Sequence, residues 1–201
     1  MLRVLDHVVR VVADLPAAVD DHRRRGFTVT PGGEHADGQT HNALVSFADG
    51  SYLELVAFRD LERSREHRWW KHAAGGGLAD FALLSDDLAG DLVALRELAL
   101  GPPTQGGRTR PDGVRLRWRT ARLTPPLPFL IEDVTARELR VPGGTAARHA
   151  NGAMSVGTVV VGARDLSVAE RRYAALRERG APHIALRAAE ADGIVALQLD
   201  A

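Results

Sequence analysis

Two short apolar runs near the N-terminus each carry one ionisable side chain of a kind that binds metal ions or moves protons. Leu5-Asp6-His7-Val8-Val9-Arg10-Val11-Val12 holds His7, and Ser51-Tyr52-Leu53-Glu54-Leu55-Val56-Ala57-Phe58 holds Glu54. Both runs read as β-strands, in which residues two apart share a face. His7 therefore points with Val9 and Val11, and Glu54 with Tyr52 and Val56. If the two strands belong to one curved sheet, a neutral imidazole and a carboxylate converge on one ion. His7 alone reads as a core histidine satisfied by hydrogen bonds. Glu54 is harder to explain that way, because an unpaired carboxylate buried among Tyr, Leu and Val costs several kcal/mol. It needs a cationic partner or an open face of the sheet.

The elements that must position these two residues follow along the chain. After the strand over 3–12, Asp14 caps a helix with Pro16 in its first turn, and Gly26 ends it. Phe27–Thr30 reads as a short strand stopped by Pro31-Gly32-Gly33, and Glu34 to Thr40 as a polar loop. His41–Phe47 and Ser51–Phe58 form a hairpin turned by Asp49-Gly50. Residues 59–77, with Trp69-Trp70 and Gly75-Gly76-Gly77, read as a connector.

The pattern then returns. Asp80–Leu84 is a strand, Asp87 starts a helix running towards Leu100, and Gln105 to Gly113 is a Gly/Arg-rich loop. Strands over Val114–Leu123 and Leu127–Val134 complete the second unit. A third has a strand at Gly157–Ala163, a helix from Asp165 capped by Gly180, and strands at His183–Ala188 and Ile194–Leu199. Asp14-Leu15, Asp87-Leu88 and Asp165-Leu166 recur about 75 residues apart, the mark of an internal duplication too long for a solenoid unit. The expected class is α+β: tandem βαβββ modules forming cupped, open mixed sheets, with a third partial βαββ module. Module 1 spans 1–60, the connector 61–77, module 2 78–135, a linker 136–156 and the partial module 157–201.

Composition narrows the chemistry. The chain has 201 residues, 26 basic and 26 acidic, with no net formal charge and so no global field for nucleic acid or an anionic membrane. It has no cysteine, so any metal falls to His, Asp and Glu, ligands suited to Zn, Mn, Fe, Ni or Mg. No apolar run reaches the length of a membrane span and the start lacks a signal peptide's apolar core, so a soluble, cytoplasmic protein is expected. Lys71 is the one lysine among the basic residues, as in proteins of GC-rich bacterial genomes.

Leu5-Asp6-His7-Val8-Val9 with Asp14-Leu15, Gly26-Phe27-Thr28-Val29, Thr40-His41-Asn42-Ala43-Leu44 and Gly50-Ser51-Tyr52-Leu53-Glu54-Leu55 carry a family resemblance. Arg110–Trp118 and Leu127-Pro128-Phe129-Leu130-Ile131-Glu132 extend it. The chain resembles glyoxalase-like proteins of the vicinal oxygen chelate superfamily. The resemblance implies a divalent metal (Zn, Mn, Ni or Fe) in the concavity, with ligands from the first and last strands of each module. By position these are His7 and Glu54, then Asp80 and Glu132. Asp80 departs from the His or Gln usual there.

The expected function is a metal-dependent lyase or isomerase acting on a small organic substrate, the ion serving as a Lewis acid. Glu132, displaced from the metal, or His41 would move the proton. Asn42, Tyr52, Arg110, Trp118, His149 and Asn151 are candidate substrate contacts, Arg110 as a clamp for carboxylate or phosphate. Arg115, Arg117 and Arg119 share a strand face that reads as a solvated surface. The alternatives are a metal-free protein sequestering a drug or metabolite between Trp69, Trp70 and Trp118, and a scaffold whose site has decayed. The only partner expected is a small molecule; the unpaired edge of the third unit leaves room for a homodimer.

Overall fold

The computed structural model describes residues 1–2 and 4–201; Arg3, within the strand expected over 3–12, lies outside the described residues. The first unit is β1 (Val4–Val11), α1 (Leu15–Arg24), β2 (Thr30–His35), β3 (Thr40–Ser46) and β4 (Tyr52–Phe58). β5 (Gly77–Leu84), α2 (Leu88–Ala94), β6 (Thr104–Thr109), β7 (Arg115–Ala121) and β8 (Phe129–Asp133) repeat its order. A short helix α3 (Arg137–Arg140) leads to β9 (Ser155–Ala163), α4 (Leu166–Glu178), β10 (Ala185–Ala188) and β11 (Gly193–Asp200). The three recurrent aspartates cap the three longer helices. Asp14 accepts from the Ala17 N–H at 2.9 Å, Asp87 from Gly90 at 3.0 Å and Asp165 from Val168 at 2.9 Å. Among the described residues no helix is long and apolar enough to cross a membrane.

Each unit lays its strands in the same order, β1-β4-β3-β2 and β5-β8-β7-β6, and the two cupped sheets meet along both edges as an eight-stranded barrel. One seam is antiparallel β1–β5, where His7 faces Ala82. The other is antiparallel β2–β6, where Glu34 faces Thr109 and His35 faces Arg108. The third unit forms its own sheet, β10-β9-β11. Strand alternation sorts the side chains. Val8, Val45, Leu53, Leu55, Phe81 and Leu83 face outward into a core shared with Val156, Val159, Val161, Tyr173 and Leu176 of the third unit. Val9, Val11, Val56, Ala82, Phe129 and Ile131 face inward and fill one end of the barrel. The other end is polar.

Three elements differ from the sequence expectation. β2 begins at Thr30 and runs through Pro31-Gly32-Gly33, where a register shift lets the strand continue to His35. Backbone approach explains the two glycines: a Cβ on Gly32 would lie 1.9 Å from Asn42 Oδ1, and one on Gly33 2.0 Å from the Thr109 carbonyl oxygen. The segment expected as a loop over 105–113 contains β6, because its glycines accommodate neighbours that a side chain would push away; a Cβ on Gly106 would lie 2.2 Å from Trp118 Nε1. α2 stops at Ala94, short of Leu100, as Leu95 leaves the helix to be buried and Ala99 bridges to Leu123.

Gly32→Ala is expected to cost about 1–3 kcal/mol by overpacking. It should appear as a lower urea midpoint with an unchanged slope. An unshifted midpoint would show that Asn42 has room to move.

Candidate functional site

The polar end of the barrel is built around Glu54, which is 5% exposed. His35 Nε2 lies 3.3 Å from its Oε1 and His7 Nε2 lies 3.5 Å from its Oε2. Asn42 Nδ2 donates to Oε1 as well. Burial alone would raise the Glu54 carboxyl, but His35, His7 and Asn42 outweigh it and hold the pKa at about 2. Glu54 therefore stays a carboxylate across the physiological range. Thr40 Oγ1 fixes His35 from behind, 2.7 Å from Nδ1.

His7 is oriented by its own neighbour. β1 skips a residue against β5: Leu5 pairs with Leu83 and His7 with Ala82, leaving Asp6 as the extra residue of a β-bulge. The bulge lets Asp6 and His7 reach each other, and Asp6 Oδ2 sits 2.9 Å from His7 Nδ1. A carboxylate there places the ring proton on Nδ1 and leaves Nε2 towards Glu54. Tyr52 stacks on the imidazole at 4.6 Å and 14°, and Phe129 meets it edge-on at 5.4 Å.

Asp6, fully buried, is held by two arginines from α3. Arg140 donates from Nη1 to Asp6 Oδ2 at 2.8 Å and from Nη2 to Asp6 Oδ1 at 3.0 Å. The same guanidinium donates to Tyr52 Oη at 2.7 Å and to Asp133 Oδ2 at 2.8 Å. Arg137 adds a second contact to Asp6. Burial would raise the Asp6 carboxyl, but Arg140 and His7 pull it well below the ordinary carboxylate range. Burial likewise pushes the Tyr52 phenol upward, so it remains protonated.

These groups open onto a cavity of about 230 Å³. Trp69, Trp118, Phe129 and Ile131 form its apolar walls; Arg68 and Arg108 stand among them. Arg68 lies against the rings of Trp69 and Phe129, 4.5 and 4.3 Å from their centroids.

Of the residues singled out in the sequence, the structure brings His7, Glu54, Asn42, Tyr52, Trp69 and Trp118 to this cavity. Others lie elsewhere, for identifiable reasons. On β8, Phe129 and Ile131 face inward, so Glu132 faces outward, where it pairs with Arg119 and accepts from the Leu88 N–H at 3.2 Å. Asp80 accepts from Trp69 Nε1 at 3.2 Å and pairs with Arg68 at 3.4 Å. His41 alternates with Asn42, and neither it nor Glu132 reaches the cavity. Arg110 is tied to Asp112 at 2.6 Å. His149 joins the linker to module 1 through the Thr28 N–H and the Ser46 carbonyl, both at 3.0 Å. Asn151 donates to the Arg25 carbonyl at 2.9 Å, and Trp70 packs on Phe58. Sequence reasoning missed Asp6, His35, Arg108 and Arg140. For His35 a signal was present, because Gly32-Gly33 marks backbone crowding just ahead of it.

The divalent metal implied by the resemblance needs ligands from both modules. Beside His7 and Glu54, Ala82, Phe129 and Ile131 face inward from β5 and β8 and are apolar, and Asp80, on the same face as Ala82, is taken up by Trp69 and Arg68. His35 supplies a second imidazole, but His7 and His35 address different oxygens of Glu54, and Asn42 shares Oε1 with His35. Among the described residues no three His, Asp or Glu side chains form a group able to hold a metal ion. The residues present do not fit that centre.

The fold has solved counterparts. A hypothetical protein from Staphylococcus aureus superposes with a TM-score of 0.66 at 16% identity, covering 85% of this chain and 74% of that one. Streptomyces coelicolor methylmalonyl-CoA epimerase, in complex with 2-nitronate-propionyl-CoA, gives 0.49 at 21% identity, covering 67% and 100%. The Mycobacterium tuberculosis methylmalonyl-CoA epimerase gives 0.44 at 21% identity, covering 65% and 87%. No curated protein matches the chain in sequence. The model of the glyoxalase-like domain matches residues 5–177. The chain belongs to the glyoxalase-like domain family, within the vicinal oxygen chelate superfamily that its strands and repeats resemble.

Proposed function

We propose that the protein is an acid–base enzyme of lyase or isomerase type, which moves a proton on a small organic substrate inside the barrel. The observation that carries this reading is the Asp6–His7–Glu54 array at the cavity wall. Asp6 fixes the imidazole through Nδ1, so that Nε2 is the atom that takes or returns a proton. Glu54, held as a carboxylate, steadies the imidazolium formed when Nε2 is protonated. His35 and Asn42 hold Glu54 in place, and the apolar walls keep bulk water away from the transfer. A substrate with an acidic C–H beside a carbonyl suits this arrangement.

The test is hydrogen–deuterium exchange in D2O, followed by NMR on a panel of small 2-oxo acids, 1,3-dicarbonyls and thioesters. Exchange of one class is expected with the wild type and about 10²–10⁴-fold slower with His7→Gln. A panel that exchanges no faster than with His7→Gln would refute the reading. Sequestration without turnover is the second reading, favoured by the aromatic walls and by a Glu54 too acidic to be a strong base itself. Saturable tryptophan quenching by a compound that never exchanges would support it.

A further inference from the structure

Two arginines meet at the polar end of the barrel, and their surroundings differ. Arg140, 2% exposed, is saturated by the carboxylates of Asp6 and Asp133. Arg108, 4% exposed and part of the cavity lining from β6, has no carboxylate partner among the described residues. Its Nη1 donates to Asn42 Oδ1 at 3.3 Å and its Nη2 to the Arg140 carbonyl at 2.9 Å. Both acceptors are neutral. Among the described residues its buried Nε–H has no acceptor. Asn42 stands between the two opposite charges of the site, accepting from Arg108 and donating to Glu54, so the carboxylate leaves Arg108 Nε unmet.

A buried guanidinium with an open donor is expensive unless something negative completes it. The cavity offers a second donor of the same kind. Tyr52 Oη accepts from Arg140, which leaves the phenolic proton free to be given. Beside these donors the cavity wall is aromatic. The Trp118 indole lies across Gly106, which has no Cβ to hold it off, and Trp69 and Phe129, both against the Arg68 guanidinium, line the same cavity.

We propose that the cavity takes a small monoanion with a planar apolar or aromatic body, its carboxylate bound by the Arg108 guanidinium. This rests on the same cavity as the acid–base reading and names the class of molecule that enters it. Phenylacetate presents both features, phenylacetamide lacks the charge and acetate lacks the ring. In titrations of the full chain followed by tryptophan fluorescence, phenylacetate should quench saturably. Phenylacetamide and acetate should each bind at least about tenfold more weakly, as expected for losing a charge-assisted hydrogen bond or the ring contact. Arg108→Met, if its circular dichroism matches the wild type, should lose the preference for the acid over the amide. If that variant does not fold, the acid–amide comparison in the wild type decides alone.

Equal binding of acid and amide, equal binding of acetate and phenylacetate, or no binding of any would overturn the proposal. Glu54→Gln separates it from the acid–base reading. Binding retained while no compound exchanges leaves the anion site standing without the chemistry, and exchange with no preference for the acid does the reverse.

Discussion

Arg140→Leu is expected to lower the unfolding free energy by about 3–5 kcal/mol, the usual cost of removing one partner from a buried ion cluster. For a chain of this length that is a fall of roughly 6–20 °C in Tm. The reason is the number of groups that one guanidinium satisfies. It binds both oxygens of Asp6 and of Asp133 and donates to Tyr52, and it carries the α3 segment onto the barrel with it. Without it Asp6, fully buried, keeps Arg137 and His7 among the described residues. Calorimetry of the variant beside Arg115→Leu, an exposed arginine on β7, makes the comparison. A loss below about 1 kcal/mol, the scale of a surface ion pair, would show that the cluster does not bear on stability.

The second large effect is on acid stability. The folded-state pKa of Glu54 is lowered from the ordinary 4.5 to about 2. The unfolded chain therefore takes up that proton at higher pH than the folded one. The stabilisation is fully present above about pH 4.5 and is lost as pH falls through 2, a contribution of roughly 3 kcal/mol at neutral pH. Asp6, held well below the ordinary carboxylate range by Arg140 and His7, acts in the same direction. His41, His67, His72 and His149 define a separate, higher window. Burial lowers each of them below 6.5, so the unfolded state binds their protons first and stability begins to fall below about pH 6.5. Urea unfolding between pH 8 and 2.5 should thus show two successive declines. Glu54→Gln should flatten the lower and leave the upper. A lower limb as steep in Glu54→Gln as in the wild type would rule out Glu54 as its source.

The polar end of the barrel also explains why a glyoxalase-like chain departs from the metal centre that its resemblance implies. The first module keeps His7 and Glu54 facing inward. The second module turns Glu132 outward, places Phe129 where the first has Glu54, and engages Asp80, its counterpart of His7, with Trp69 and Arg68. Half of the site is then an apolar wall. Two arginines from β6 and α3 stand there: Arg140 is paired with Asp6 and Asp133, and Arg108 donates to neutral acceptors.

Local patterns in the sequence were sufficient for the periodic part of this fold. Alternation of period two placed His7 and Glu54 on one face of their strands, and the three capping aspartates marked the helix starts and the repeat. These features are local, set by backbone geometry within a few residues. What alternation could not decide is where it breaks. By period two Asp6 belongs on the opposite face from His7, and only pairing with β5 inserts the bulge that lets it reach the imidazole. His35 and Arg108 are partners only because the two sheets close along β2–β6, and Asp6 and Arg140 meet across 134 positions of chain. Register and closure depend on contacts between segments far apart in sequence, so the inward-facing carboxylate and imidazole were local facts, whereas their partners were decided by the tertiary fold.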